Sequence, residues 1–324
     1  MAETWVDPPP LDGVTRVGYS LSGEDLLVAS WNGRINIYDG VGGRLKSHLN
    51  VNAPVLDASF DEVGRIFSAA LGGNVMLHTL APDGSFKSDL IGAHDQAARC
   101  LEITRDPKIV ATGGWDETLC GWTPDSSASS QRKPLFSVKV PGRVFAMSSL
   151  GGTKMLVGTS NREILLFDVR NPSQPELQRE SLLKNQLRCI VGLPDGSGFT
   201  AASTEGRVAI ENLDGVGSYT FKCHRVDNRI YPVNAISFHP HWHTFATGGA
   251  DGSVCVWDGT AKKRIRHYPR YDTSVSSLAF HPKGDLLAVA VSYTFEEGDK
   301  AHPEDKVLLK PVTDADVQPR IRKS

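Results

Sequence analysis

The sequence predicts an all-β protein, a seven-bladed β-propeller whose ring is closed by a strand from the N-terminus. Three observations carry this prediction. A short apolar strand recurs seven times along the chain, a tight polar turn precedes most of the copies, and an isolated strand-like segment, Thr4-Trp5-Val6, precedes the first repeat.

The recurring strand is apolar and ends near an Asp or another polar residue. Its seven copies lie at residues 35–39, 75–79, 119–123, 164–168, 208–212, 254–258 and 307–311. Their first positions are 40 to 53 residues apart, and the WD40 repeat, with four strands per blade, has a period of about 40–45 residues. The longest spacing contains an insert, Tyr293 to Asp305. We therefore expect the whole chain, 1–324, to form a single WD40 propeller domain.

Each copy follows two other strand signals. Immediately upstream is a strand of small residues with a turn such as Asn32-Gly33 or Asp251-Gly252, and such pairs supply the positive φ angles that two-residue hairpins need. Further upstream is a second apolar strand, as at 275–280. These are strands a, b and c of a blade, and the stretch after c supplies strand d. A β-sandwich with coincidental turns is the alternative, but it would have to produce seven phased copies by chance.

The two ends of the chain predict how the ring closes. After the last c strand only residues 313–324 remain, and these are rich in charge and proline. We therefore expect Thr4-Trp5-Val6 to form the outer strand of the last blade. This pairing removes the exposed edge that an open propeller would leave.

Composition excludes several classes of function. With 35 Lys and Arg against 37 Asp and Glu, the formal charge is −2, so any basic binding site for nucleic acid or membrane must be local. No apolar run approaches the length of a membrane span, and the five cysteines include no CxxC pair, as expected for a reduced, intracellular protein. No catalytic motif is found. We expect no enzymatic activity and no cofactor.

One histidine-rich segment invites a metal interpretation. His239-Pro-His-Trp-His243 falls in an a–b turn, and no cysteine or carboxylate cluster nearby completes a tetrahedral set. A plain turn is the favoured interpretation, so no metal site is predicted.

Strand direction sorts the candidate binding residues onto one surface. Because strands alternate in direction within a blade, the b–c turns and d–a loops emerge together on one face. Trp31 and Trp115 lie in the b–c turns of blades 1 and 3. Tryptophan is enriched at binding hot spots, which favours a pair of aromatic anchors. The alternative is that each ring packs on its own blade.

Positive charge gathers on the same face around blades 5 and 6. Arg188 begins strand a of blade 5, Arg207 closes the b–c turn of that blade, and Lys222 and Arg225 flank the end of its strand d. Cationic groups converging from separate loops suit a phosphate or carboxylate, and arginine binds either in bidentate fashion. The alternative is ordinary solvated surface charge, which contributes little to stability.

Several segments resemble one family over nearly the whole chain. The Bub-family WD-repeat mitotic spindle-assembly checkpoint proteins are similar at 12–13, 30–33, 205–211, 221–225, 231–238, 245–252, 262–264, 302–305 and 312–315. The related nuclear-pore WD-repeat proteins of messenger-RNA export share the central signature, while the insert sequence His-Pro-Glu-Asp and the tail sequence Val-Thr-Asp-Ala look more like the checkpoint proteins.

The resemblance implies a kinetochore adaptor, nuclear and at kinetochores in mitosis. It implies that the propeller binds a short segment of the checkpoint kinase, or of its pseudokinase-like relative. The complex would then read phosphothreonine in Met-Glu-Leu-Thr repeats of the kinetochore scaffold. Carried over by position, Trp31, Trp115, Arg188 and Arg225 would contact the partner segment, and Arg207 and Lys222 would face the phosphate. A monomeric propeller within a hetero-complex is expected, without direct nucleic-acid or membrane binding.

Two other functions stay open at this point. The first is a scaffold for messenger-RNA export at the nuclear pore. The second is a substrate receptor of a cullin ubiquitin ligase, since Phe167-Asp-Val-Arg170 is similar to a docking motif of such receptors. The chain also departs from the usual repeat in the blade 3 turn, where Glu117 stands in place of glycine.

Overall fold

The computed structural model describes residues 2–124 and 133–319, and within these ranges it confirms the all-β, seven-bladed propeller. Each blade is a four-stranded antiparallel sheet with strands in the order a-b-c-d from the channel outward. The polar stretch Ser126–Ser130, for which the sequence predicts a flexible loop, lies outside the described residues.

The first four blades follow one another without interruption. Blade 1 contains β2 (Val14–Tyr19), β3 (Asp25–Ser30), β4 (Arg34–Asp39) and β5 (Leu45–Asn50). Blade 2 contains β6 (Val55–Phe60), β7 (Ile66–Ala70), β8 (Asn74–Leu80) and β9 (Phe86–Ala93). Blade 3 contains β10 (Ala98–Ile103), β11 (Val110–Gly114), β12 (Thr118–Trp122) and β13 (Phe136–Lys139). Blade 4 contains β14 (Val144–Ser149), β15 (Lys154–Thr159), β16 (Glu163–Asp168) and β17 (Leu177–Glu180).

The last three blades carry the additions to the repeat. Blade 5 contains β18 (Leu187–Gly192), β19 (Gly198–Ser203), β20 (Arg207–Asn212) and β21 (Tyr219–Lys222), and a small hairpin follows it, β22 (Arg225–Val226) with β23 (Arg229–Ile230). Blade 6 contains β24 (Val233–Phe238), β25 (Phe245–Gly249), β26 (Val254–Asp258) and β27 (Lys263–His267). Blade 7 contains β28 (Val275–Phe280), β29 (Leu286–Val291) and β30 (Lys306–Pro311).

The N-terminal strand closes the ring as predicted. β1 (Thr4–Trp5) pairs antiparallel with β30, with Thr4 opposite Leu309. The next residue, Val6, is buried, and its N–H donates to the carbonyl of Val307 at 3.0 Å. Blade 7 therefore has its outer strand from the other end of the chain, and closure joins the two termini of the propeller.

A short helix follows the last blade. α1 (Asp314–Val317) begins after Thr313 and packs against blade 6 through Val317, which is fully buried. The Thr244 hydroxyl donates to the carbonyl of Val317 at 2.8 Å. The helix thus fastens the C-terminal segment to the blade that precedes the closing one.

The apolar core lies between neighbouring blades. One cluster joins Val17 and Val28 of blade 1 to Ala288 and Leu309 of blade 7, all of them buried. Small residues in the b strands allow the sheets to approach closely, which is why these strands are rich in alanine and glycine in the sequence.

Two blades carry the same buried polar network. In blade 3, His94 Nδ1 lies 3.1 Å from Asp116 Oδ1, and its Nε2 lies 2.7 Å from the hydroxyl of Thr112. The indole N–H of Trp122 donates to that hydroxyl at 2.7 Å. The hydroxyl therefore donates to Nε2 of a neutral imidazole, which agrees with burial lowering the pKa of His94.

Blade 6 repeats the arrangement with His224, Asp251, Thr247 and Trp257. Burial raises the pKa of Asp251, but the hydrogen bonds from His224 and Ser253 outweigh it and hold the pKa at about 2. Each network ties a d–a loop to strands b and c of the next blade.

A buried histidine in blade 2 predicts how stability depends on pH. His78 hydrogen-bonds to the hydroxyls of Ser68 and Ser88, and burial lowers its pKa to about 4. In the unfolded chain the imidazole of His78 takes up a proton below about pH 6.5, whereas in the folded protein it stays neutral down to a pH of about 4. The contribution of His78 to the free energy of unfolding is therefore fully present above about pH 6.5 and is lost as the pH falls towards 4. We expect this loss to be about 3 kcal/mol.

Urea unfolding of wild type and His78→Asn at steps between pH 7 and 4 measures this contribution. The variant is less stable at pH 7, and its free energy of unfolding falls less steeply as the pH decreases. Parallel pH profiles for the two proteins would contradict the assignment.

Residues 2–124 and 133–319 contain no helix with the length and hydropathy of a membrane span. Within the same residues, no group of three or more His, Cys, Asp and Glu side chains is arranged to hold a metal ion.

Candidate functional site

A β-bulge in every a strand shapes the mouth of the central channel. In all seven blades the register between strands a and b shifts around the second residue of strand a. Such bulges re-aim side chains. The seven bulge residues are Thr15, Leu56, Arg99, Phe145, Arg188, Asn234 and Ser276.

Six of these residues line one cavity of about 640 Å³. The rest of its lining includes Trp31 and Trp115 from b–c turns, Tyr293, Thr294 and Phe295 from the insert in blade 7, and Asp12 from the segment before β2. We call the propeller face formed by the b–c turns and d–a loops the top surface, and this cavity the channel mouth. The channel mouth combines aromatic rings with cations, and it brings together three of the six predicted site residues: Trp31, Trp115 and Arg188.

The two tryptophans sit differently. Trp31 is 42% exposed and lies over Gly13, where an added Cβ would come within 3.2 Å of its ring. Trp115 is half-buried and meets Phe145 of the next blade edge to face, with ring centroids 6.4 Å apart. Its indole N–H is buried without a hydrogen-bond partner among the described residues, and such a group costs about 1–3 kcal/mol. Trp115 thus bridges blades 3 and 4, while Trp31 presents its ring to solvent.

Arg188 lies in the channel mouth without a carboxylate partner among the described residues. Its Nη2 donates to Asn234 Oδ1 at 3.0 Å, and Asn234 Nδ2 in turn donates to the Thr294 hydroxyl at 3.3 Å. Burial lowers the pKa of Arg188, and the nearby positive charge of Arg99 lowers it further. Two guanidinium groups outnumber the one carboxylate, that of Asp12, in the lining of this cavity. This excess favours an anionic ligand there, because a partly buried charge is costly unless it is paired.

Arg207 and Lys222 form a cross-strand pair at the outer end of blade 5. They are directly opposite in β20 and β21, so their side chains share one side of the sheet. Lys222 is exposed, with no ion pair among the described residues, and Arg207 Nε lies 3.6 Å from Glu205 Oε2. Like charges directly opposite one another destabilise a sheet, and an anion bound between them would remove that repulsion.

Arg225 lies beside this pair rather than in the channel mouth. It begins the small hairpin after blade 5, and its Nη2 donates to the carbonyl of Glu205 at 3.0 Å. That carbonyl is two residues before Arg207, in the b–c turn of blade 5. The four predicted cations therefore fall into two groups: Arg188 in the channel mouth, and Arg207, Lys222 and Arg225 at blade 5.

Sequence reasoning missed Arg99, Asn234 and Phe295. Arg99 and Asn234 occupy the same position of strand a as Arg188, so alignment of the seven repeats could have found them. Phe295 falls in the insert, which has no counterpart in the other blades, and no repeat pattern points to it.

The departure at Glu117 has a stability consequence. Glu117 is exposed and has φ +63°, at the turn position where four other blades carry Gly33, Gly73, Gly206 and Gly252 with positive φ. We expect Glu117→Gly to raise the free energy of unfolding by about 0.5–1 kcal/mol, because it removes the left-handed strain of a non-glycine residue.

Arg162 at the equivalent turn of blade 4 is the matched control. It has φ +65°, but its guanidinium pairs with Glu180 and donates to the carbonyl of Lys184. Arg162→Gly loses these contacts, so its free energy of unfolding, measured by chemical denaturation, should rise less than that of Glu117→Gly. A destabilised Glu117→Gly protein would show that the turn is not strained.

Two other segments have local structural roles. In the His239–His243 turn, the backbone N–H of His241 donates to His239 Nδ1 at 3.2 Å, and His239 Nε2 donates to the carbonyl of Gly284 at 3.1 Å. Arg170, two residues after the end of β16, donates to the carboxylate of Asp168 through Nε at 3.1 Å and Nη2 at 2.6 Å. These contacts stabilise turns, and cullin docking through Arg170 stays a prediction.

Comparisons with known proteins agree with this architecture. The family model "WD domain, G-beta repeat" matches residues 84–123, 216–258 and 262–294. The chain is 40% identical to the mitotic checkpoint protein BUB3.1 of Arabidopsis thaliana, over 96% of this chain and 93% of that protein. It is 37% identical to the mitotic checkpoint protein bub3 of Dictyostelium discoideum, over 93% and 92%.

A relative named for a different role is also similar. The Poly(A)+ RNA export protein of Schizosaccharomyces pombe is 31% identical over 98% of this chain and 93% of its own length. The checkpoint relatives have the higher identity, and their matches cover 93% to 96% of the chain. The chain belongs to the Bub3 family of WD-repeat mitotic checkpoint proteins.

Proposed function

We propose that this propeller is a non-enzymatic adaptor of the mitotic spindle checkpoint. It binds a short segment of the checkpoint kinase, or of its pseudokinase-like relative, on the top surface. The complex then reads phosphothreonine in Met-Glu-Leu-Thr repeats of the kinetochore scaffold. The observation that carries this proposal is the channel mouth, where one cavity is lined by two tryptophans and by an arginine that has no carboxylate partner within residues 2–124 and 133–319. We place the protein in the nucleus, and at kinetochores in mitosis.

The channel mouth suits an extended segment that combines apolar and acidic side chains. Trp31 and Trp115 offer apolar area with little loss of conformational entropy on binding. Arg188 offers a planar fork of donors, held in place by Asn234, that fits a carboxylate in bidentate fashion. Arg99, in the same cavity, adds a second positive charge. Arg225 at blade 5 would bind another acidic residue as the segment leaves the channel mouth.

The phosphate site is the pair Arg207 and Lys222. A phosphothreonine brings about −1.5 to −2 charges and three acceptor oxygens, which two adjacent cations can share. Arg207 supplies bidentate geometry and Lys222 a mobile point charge. The exposed position of Lys222 leaves it accessible to a repeat that docks on the rim of the top surface.

Capture of the kinase segment tests the proposal. We expect a fluorescein-labelled peptide of that segment to bind the wild-type protein. Its affinity for the Trp31→Ala variant and for the Trp115→Ala variant should each be at least about tenfold lower than for wild type. Leu80→Ala is the matched control, because Leu80 is an exposed apolar residue in the c–d turn region of the opposite face. Tryptophan variants that bind like wild type would place the partner site elsewhere.

A scaffold in messenger-RNA export is the second candidate, favoured by the similarity to the Schizosaccharomyces pombe protein. Competition between the kinase segment and the related segment of the nuclear-pore protein distinguishes the two. A checkpoint adaptor releases the pore segment when the kinase segment is added at equal concentration, and an export scaffold retains it.

A further inference from the structure

The insert of blade 7 places an unusual phenylalanine in the channel mouth. Phe295 is 50% exposed, lines the same cavity as Trp31, Trp115 and Arg188, and has φ +58°. The left-handed conformation is rare for a bulky residue and costs free energy. An exposed aromatic ring adds a second cost, because its apolar area faces water. A ligand that buries the ring would offset the second cost.

Hydrogen bonds on both sides of Phe295 hold this conformation. The Thr294 hydroxyl donates to Glu296 Oε2 at 2.6 Å, and Ser274 donates to Glu296 Oε1 at 2.6 Å. Asn234, the residue that orients Arg188, donates to the same Thr294 hydroxyl at 3.3 Å. Residues with a strained backbone conformation persist where several surrounding contacts hold them in place, and such residues cluster at ligand-binding sites.

The ring of Phe295 has aromatic neighbours on the insert side. Tyr293 is buried, with its ring centroid 5.1 Å from that of Phe295, and its hydroxyl donates to the carbonyl of Gly298 at 3.0 Å. His302 lies 5.2 Å from Tyr293 and 6.0 Å from Phe295, centroid to centroid. The insert is therefore an ordered lobe that supports Phe295 from one side.

We propose that Phe295 is a third aromatic contact for the partner segment. With Trp31 and Trp115 it would enclose an aliphatic or aromatic side chain of that segment, while Arg188 binds an adjacent carboxylate. The segment recognised here would thus carry an apolar residue beside an acidic one. This inference rests on the proposed function, and it assigns the blade 7 insert a role in partner selection.

Three substitutions at one position test the role of the ring separately from the strain. Phe295→Ala removes the ring and keeps the strained φ, Phe295→Gly removes both, and Phe295→Tyr keeps the ring. Binding is measured by fluorescence anisotropy with the fluorescein-labelled kinase-segment peptide, and stability by thermal unfolding. We expect the Ala and Gly variants to bind at least about tenfold more weakly than wild type and the Tyr variant within about threefold. The Gly variant melts at a higher temperature than the Ala variant.

The outcomes separate this inference from the proposed function. Ala and Gly variants that bind within about twofold of wild type, while Trp31→Ala loses binding, would overturn the role of Phe295 and leave the proposed function in place. A wild-type protein that does not bind the peptide, or a Trp31→Ala variant that binds it normally, would overturn both. A Gly variant that melts below the Ala variant would overturn the argument from strain.

Discussion

Replacing Arg207 and Lys222 together by alanine is expected to abolish the preference of the propeller complex for a phosphorylated Met-Glu-Leu-Thr peptide. Hydrogen bonds to charged groups contribute about 1.5–3 kcal/mol each, so losing both cations weakens phosphopeptide binding by about 100-fold or more. Binding of the unphosphorylated peptide changes little, because neither cation has a phosphate to contact. Isothermal titration of both peptides, with the kinase segment present, measures the difference.

Two single variants refine this test. Arg207→Lys keeps the charge and loses the bidentate fork, so its affinity for the phosphopeptide falls between those of wild type and Arg207→Ala. Lys87→Ala removes an exposed cation from the outer strand of blade 2 and serves as the matched control. A double variant that still prefers the phosphorylated peptide would refute the assigned phosphate site.

Trp122→Ala is expected to destabilise the propeller by about 3–5 kcal/mol, a large part of the stability of a typical domain. Trp122 is 2% exposed, and its ring lies so close over Gly92 that a Cβ there would meet Cε3 at 2.2 Å. Its N–H also donates to Thr112, which donates to His94. Truncation therefore leaves a cavity and removes one donor from a buried polar network. Urea unfolding followed by circular dichroism measures the loss.

Trp257→Ala is the matched comparison. Trp257 donates to Thr247 at 2.9 Å in the equivalent network of blade 6, but its side chain is only partly buried. We expect a smaller loss than for Trp122→Ala, because less apolar area is removed from the interior. Equal losses of stability in the two variants would show that the indole hydrogen bond, which both tryptophans make, contributes more to stability than the burial of the ring.

The fold could be predicted from the sequence because the propeller repeats one unit. Seven copies of a strand with one period determine the number of blades, and the missing outer strand of blade 7 points to Thr4-Trp5-Val6. The helix α1 was not predicted. This helix is held by the packing of Val317 against blade 6. A single apolar residue in a charged tail produces no helical periodicity, so the sequence contains no signal for it.

The candidate site could be predicted only to the level of a surface. Strand parity placed Trp31, Trp115 and the four cations on one face, but it did not divide the cations between the channel mouth and blade 5. That division depends on two local features. The a-strand bulge turns Arg188 into the channel mouth, and the hairpin after blade 5 holds Arg225 against the carbonyl of Glu205.

The most direct test of the central claim is the affinity of the wild-type protein, with the kinase segment bound, for a Met-Glu-Leu-Thr peptide with and without phosphate on its threonine. We predict that the phosphorylated peptide binds at least about 100-fold more tightly. We also predict that this difference shrinks as salt is added, because the site at Arg207 and Lys222 is partly exposed. Equal affinity for the two peptides would contradict the account.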